Sequence, residues 1–529
     1  MLKRLIENWL TSLSERKDLD IPFRLLLEAE GHVAIGHSTV HGPMELGKDI
    51  VSEKPSEDLF YFFQTKTGDA KPSDWADMER QIMQMVEVPY AHPNFSIGDP
   101  YKPVWVCTGQ LSETVRTSLG LRNEAYRKSD RPTVEVWDRN TLIDKFHSAF
   151  FDMLFADESF VIDFLRLWSH LADYMSDEED LREFFHRYLF DLPVAKERET
   201  RKHLATYALM LAQVSQRYVA KDDLYSAIDC ALLGAVQLYE FIIAQGLEAD
   251  VYQGCLDTVH EFIGLLSRDL VDQCKAREEA LSDLLDPGSG PSEIFELPLR
   301  IHSLAAKLSL HMLTKSLNNE DFAVEAKLLS LVLENNPAFC HLLTERQMGT
   351  LWISIVGLLH SDHHDLAERF VRETFDWFMG THAEGESGLP DPYQPYDVII
   401  SHHLGVEMPD AKHLEMRLQS YMLPILLKLI CFLDLRDALA KHWTAVSHVV
   451  VREYLPPGAR ELFAYLPETG KLAMYGFAVT GSWSELVERY SERLPSEITD
   501  FVDRHPLSLL VLTLAYPWRA QWREVDRYT

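Results

Sequence analysis

The sequence predicts an α+β multidomain chain: an N-terminal α/β domain with a small mixed sheet over residues 1–150, followed by a long all-α region, solenoid- or bundle-like. Three observations carry this expectation. Strand-like runs ("KDIV", "LFYFF", "PVWVCTG", "TVEVW") alternate with helical patterns up to about residue 150. Beyond Phe146 the apolar spacing becomes helical almost throughout. The net charge is also uneven: 18 basic against 23 acidic residues up to position 150 give −5, which leaves −26 of the total −31 for the rest.

In chain order, "MLKRLIENWLTSLSER" places Leu2, Leu5, Ile6, Trp9, Leu10 and Leu13 on one helical face and reads as a packing helix, not a signal peptide. A second helix ends near Gly31. "LFYFFQTKTGD" is an oily strand closed by a glycine, and the helix "DWADMERQIMQMV", the strand "PVWVCTG", another helix and "TVEVW" complete the domain. In the helical region, Leu204, Tyr207, Leu211, Val214 and Tyr218, then Leu224, Ile228, Ala231, Ala235, Leu238 and Ile242, define two helices joined around "AKDD" and stopped near Gly246. Gly- and Pro-rich stretches at 286–292 and 380–396 mark soft boundaries, giving helical regions 151–285, 293–380 and 397–529. No fixed repeat period is present.

Composition narrows the function classes. Apolar residues are 46% and charged residues 25%, as in folded soluble proteins. The acidic body repels nucleic acid, so a polyanion contact has to be local or supplied by a partner. Six scattered cysteines lack metal-knuckle or disulfide spacing, which fits a reducing cytoplasm. "YMLPILLKLICFLDL" is broken by Pro424 and Lys428 and is too short to span a bilayer, so no membrane partner is expected. Phosphate-cradling GxxxxGK[ST], dinucleotide GxGxxG and GxSxG signatures are absent, which leaves nucleotide hydrolysis, dinucleotide redox chemistry and an α/β-hydrolase unsupported.

The chemistry lies on the oily strand. Side chains alternate, so Phe60, Phe62, Gln64 and Lys66 share one face and Tyr61, Phe63 and Thr65 the other. Gln64 and Lys66 are then roughly 7 Å apart. Upstream, "ELGKDIVS" carries Asp49 before a β-branched pair. A hairpin through "SEKPSED" would make Asp49 and Gln64 neighbours, whereas a slip of one residue would turn Gln64 away. A carboxylate, a second oxygen ligand and a lysine suit a hard cation and a scissile phosphodiester.

The pattern G-x-D-I-V, a loop, an oily strand and Q-x-K resembles the PD-(D/E)XK superfamily, specifically its Mrr-like restriction endonuclease branch, over about the first 150 residues. The following helix, "PVWVCTG" and the closing "VEVWDRNTLIDKF" agree with it. The resemblance implies a restriction-endonuclease-like domain using Mg2+ or Mn2+. Asp49 and Gln64 would be metal ligands, with Gln64 in the usual acidic position, and Lys66 would position the attacking water or stabilise the transition state. The branch usually has a glutamate on its first helix. Here Glu28 and Glu30 lie closer to Gly31 than that pattern expects, so Glu28, Glu30 or Glu45 could complete the shell.

By that resemblance the first expectation is a DNA endonuclease of a prokaryotic anti-phage or restriction-type defence system. The acidic helical region would serve sensing, regulation or assembly with a protein partner or a second copy. The competing expectation is a non-catalytic helical scaffold carrying a degenerate nuclease-fold domain, motivated by glutamine at the acidic position. Histidines form weaker candidates: His92 in a loop, His360 and His364 four residues apart, and His402, His403 and His413.

Overall fold

The computed structural model describes residues 6–7, 10–11, 16–37, 48–88, 95–96, 98–154, 167, 178–191, 197–282, 284, 292–394, 396–405, 415–456, 458–465, 474–520, 523 and 527–528. Two compact units divide the chain: Met1–Val214 with Leu247–Val259, and Ser215–Gly246 with His260–Thr529.

The first unit contains a five-stranded sheet of order β1-β2-β3-β4-β5. Its elements are α1 (Arg16–Ala29), β1 (Val33–His37), β2 (Ile50–Lys54), β3 (Leu59–Lys66), α2 (Trp75–Glu87), β4 (Tyr101–Cys107), α3 (Glu113–Lys128), β5 (Glu135–Trp137) and α4 (Arg139–Leu154). The α/β expectation is met here, with one strand unforeseen: β1 pairs antiparallel with β2 across an irregularity between Ala34 and Gly36. Chain reversal between β2 and β3 uses residues 55–58, with Asp58 in the left-handed region at φ 51°, a conformation Asp tolerates. Strand β3 then runs parallel to β4, and β4 parallel to β5, with α2 and α3 as crossovers.

The two faces of β3 bury different partners. Phe62 packs with Val51, with Met78, Ile82 and Met85 of α2, and with Val115 and Leu119 of α3. Phe63, on the other face, meets Phe23 of α1 at 5.3 Å and Trp137 at 5.3 Å between ring centroids. Strand β3 is thus covered on both sides, which explains its near-continuous apolar run. Of the N-terminal helix, Ile6 and Leu10 are helical and buried; Leu2, Leu5, Trp9 and Leu13 lie outside the described residues.

The first unit continues with α5 (Glu178–Asp191) and most of α6 (Glu197–Val219), whereas α7 (Leu224–Gln245) belongs to the second unit and α8 (Ala249–Ala276) is divided between the two. Helix α7 stops where expected: Gly246 adopts φ 58° and its N–H returns to Ile242 and Ile243, a glycine cap. By length and composition α7 is the one described helix able to cross a bilayer, but 83% of that window is buried inside the protein, as in a core helix.

The second unit is not all-α. Beside its helices it holds a three-stranded sheet, β6 (Gln419–Ser420), β7 (Val450–Tyr454) and β8 (Met474–Ala478). The β-branched pair Val450–Val451 favours extended backbone, and burial of Val451 and Tyr454 holds β7 in place. These strands have two to five residues, too few to displace the helical period in their surroundings.

Candidate metal-ion and phosphate site at the β2–β3 hairpin

The hairpin register decides the site. Strand β2 pairs antiparallel with β3 through Ile50↔Phe63, Val51↔Phe62 and Ser52↔Tyr61. One step beyond the last pair, Asp49 N–H donates to the Phe63 carbonyl at 2.8 Å, which brings Asp49 opposite Gln64. Gln64 Nε2 then donates to Asp49 Oδ2 at 2.8 Å. The two proposed ligands are therefore neighbours, on the face that Phe62 shares with Val51. The same oxygen accepts from the Thr65 backbone N–H at 2.6 Å and from Thr65 Oγ1 at 2.9 Å. Asp49 thus takes over as the acceptor at the point where the β2–β3 ladder ends.

Asp49 has no exposed surface and Gln64 is 3% exposed. Lys66 by contrast is exposed, and its ammonium has no hydrogen-bond or ion-pair partner among the described residues. A divalent ion and a phosphodiester can reach such a constellation only where it opens to solvent. Only the lysine end is open, because the carboxylate is held inward against the C-terminal end of β3.

Lys48 precedes Asp49 and is itself buried. Its Nζ donates to Gln84 O in the last turn of α2 at 3.2 Å and to Val88 O just past the helix end at 3.0 Å, where a cation is favoured by the helix dipole. Burial pushes this ammonium down to about 8. Through Lys48 the C-terminal end of α2 is tied to the residue before the carboxylate.

The candidate glutamates go elsewhere. Both oxygens of Glu30 accept from Lys145 Nζ of α4 at 2.9 Å, and that ammonium lies 3.8 Å from the centre of the Trp137 ring. Trp137 packs on Phe63, so Glu30 and Lys145 stand on the face of the sheet opposite Gln64 and Lys66. Glu28 presses its carboxylate against α8, where a Cβ on Gly254 would come within 2.7 Å of Oε1, and burial raises it to about 7. Glu45 and His92 lie outside the described residues.

Parallel strands β3 and β4 end together beside Lys66, and ligands of open α/β sheets characteristically bind outside such carboxyl ends. The Lys66 carbonyl accepts from Thr108 N–H at 3.1 Å, and Thr108 Oγ1 accepts from Gly68 N–H at 2.9 Å. Arg139 Nε donates to Thr108 O at 2.8 Å, and its guanidinium pairs with Asp69 at 3.3 Å. The two turns touch so closely that a Cβ on Gly109 would sit 2.2 Å from Gly68 O. Gly109→Ala is therefore expected to destabilise the domain by about 3 kcal/mol, seen as a lower urea midpoint at unchanged slope.

The histidine candidates do not converge. His360 ends one helix (Met348–His360) and His364 begins the next (His364–Thr381), with Asp362 at φ 60° between them. His360 is engaged through both ring nitrogens, with Tyr528 O at 2.8 Å and Ser316 Oγ at 2.6 Å. His402 and His403 contact the carbonyls of Gly388 and Leu343, and His413 is outside the described residues. Among the described residues no group of three or more His, Cys, Asp or Glu could hold a metal ion.

Sequence reasoning missed Thr65 and Lys48. The signal for Lys48 was a charged residue flanked by chain that becomes buried; for Thr65 it was a β-branched hydroxyl between the two polar residues. Comparison with known proteins adds no relative: no family model, curated protein or solved structure matches the chain.

Proposed function

We propose that the N-terminal domain is a metal-dependent phosphodiesterase of PD-(D/E)XK type that acts on DNA. The observation that supports it most is the 2.8 Å contact between Gln64 and Asp49 at the end of the β2–β3 hairpin, with exposed Lys66 two residues further along the same face. The element order, an antiparallel β1-β2-β3 meander followed by parallel β4 and β5 with flanking helices, is compatible with this reading.

The donor types suit Mg2+ or Mn2+, since a carboxylate and an amide oxygen are both hard and magnesium is commonly held by one or two carboxylates and retained waters; the Gln64 amide, whose Nε2 faces Asp49 here, would have to turn its oxygen to the ion. Asp49 and Gln64 would hold the ion, which would supply Lewis-acid polarisation of a phosphoryl oxygen and a more acidic bound water. Lys66 contributes a cation at the solvent edge, where negative charge develops on phosphate. The acidic remainder of the chain repels DNA, so in this reading the helical region restrains the nuclease until a protein partner or a second copy engages it. A role as a cytoplasmic defence effector follows from the Mrr-like resemblance alone.

A second reading is favoured by one observation. Complete burial of Asp49 suits a degenerate domain in which the carboxylate only caps the hairpin and the chain serves as an interaction scaffold. Incubating the full chain with supercoiled plasmid and Mg2+ or Mn2+, against an EDTA control, separates the two. Metal-dependent nicking or linearisation supports the nuclease; intact plasmid together with no heat of Mn2+ binding supports the scaffold.

A further inference from the structure

Resting on the metal-dependent reading above, we propose that Thr65, the middle residue of the Gln-Thr-Lys triplet, is a positioning residue that fixes the Asp49 carboxylate for a divalent ion. Among the described residues three donors reach Asp49 Oδ2, and two of them belong to Thr65: the backbone N–H at 2.6 Å and the hydroxyl at 2.9 Å. Gln64 supplies the third at 2.8 Å.

The three donors differ in stiffness. Gln64 reaches the carboxylate through a long side chain with several rotatable bonds. Thr65 offers one donor fixed in the backbone of β3 and another on a β-branched side chain with a restricted first torsion. Thr65 has no exposed surface, so no solvent competes for its hydroxyl. Gln64 and Thr65 project from opposite faces of β3, and the carboxylate at the hairpin end receives both. It is gripped from two sides and cannot swing as a unit without breaking a bond on one of them.

Groups that orient a metal ligand typically change metal affinity by about 10- to 100-fold when removed. A residue serving the strand alone would alter folding without altering ion affinity.

The test uses calorimetric titration of the full-length chain with MnCl2, alongside thermal melting. Thr65→Val keeps the shape and removes the hydroxyl; it is expected to weaken Mn2+ binding about 10- to 100-fold with little change in melting temperature. Thr65→Ser keeps the hydroxyl and is expected to stay within about threefold of wild type. If Thr65→Val folds poorly, Thr65→Ser against Thr65→Ala gives the same comparison, since both lose the methyl and differ in the hydroxyl. Equal Mn2+ affinity with and without the hydroxyl, in a wild type that does bind Mn2+, overturns the role of Thr65 and leaves the nuclease reading standing. A wild type that takes up no Mn2+ overturns both.

Discussion

Lys66→Ala is expected to abolish metal-dependent plasmid cleavage, by at least about 100-fold in rate, while leaving the melting temperature and the Mn2+ affinity where they were. Removing one electrostatic stabiliser of a developing oxyanion typically costs 10²- to 10³-fold in rate. The side chain is exposed and has no partner among the described residues, so its truncation leaves no buried donor or acceptor unsatisfied. Asp49→Ala behaves differently. It strips three donors of their acceptor in a buried place, Gln64 Nε2, Thr65 N and Thr65 Oγ1, and so lowers stability as well as activity. An inactive Asp49 variant therefore says little unless its folding is measured, whereas Lys66→Ala isolates the chemistry. Cleavage at the wild-type rate in purified Lys66→Ala would remove the lysine from the mechanism.

The parts of this site legible in the sequence are those set by period and turn chemistry. Alternation along "LFYFFQTK" put Gln64 and Lys66 on one face, and the turn-forming "SEKPSED" before it allowed a hairpin that would bring Asp49 alongside Gln64. The register itself was not legible, because period two leaves two registers open until a buried row selects one. Val51 and Phe62 make that selection by packing into the α2–α3 side of the sheet. The inward turn of Asp49 also escaped, since burial depends on elements far away in sequence. Strand β1 was hidden by its shortness and by Gly36, and the β6–β7–β8 sheet by helices on every side. The choice among Glu28, Glu30 and Glu45 needed three-dimensional information: Glu30 is drawn to Lys145 and Glu28 to α8, partners 115 and more than 200 positions away.

Acid should destabilise this chain from about pH 6.5 downward. Five histidines, His32 and His203 in the first unit and His260, His302 and His382 in the second, are buried deeply enough that burial holds each imidazole down to about 4. His302 stacks on Phe339 at 4.2 Å and bonds its carbonyl through Nε2 at 2.8 Å; His382 stacks on Phe378 at 4.1 Å and bonds its carbonyl through Nδ1 at 2.9 Å. Unfolded, each would take a proton near pH 6.5, so the unfolded state holds more protons throughout the window from about 6.5 to 4. Stability therefore falls as pH drops through that window, and the cost is fully present below about 4. Two buried glutamates act in the opposite sense. Glu28, raised to about 7 by burial, and Glu345, raised to about 8 by burial against the lowering pull of hydrogen bonds from Ser420 and Tyr421, are protonated in the fold and would ionise on unfolding above about pH 4.5. Near pH 5.5 these seven groups together take up about three protons on unfolding, a loss of about 4 kcal/mol per pH unit from them alone. That is steep against a usual total of about 5–15 kcal/mol. Urea titrations at half-unit steps from pH 7 to 4.5 should show the midpoint collapsing, and replacing His302 with Gln should flatten the slope by about one proton. A midpoint that stays level down to pH 5 would mean that these imidazoles are protonated inside the fold.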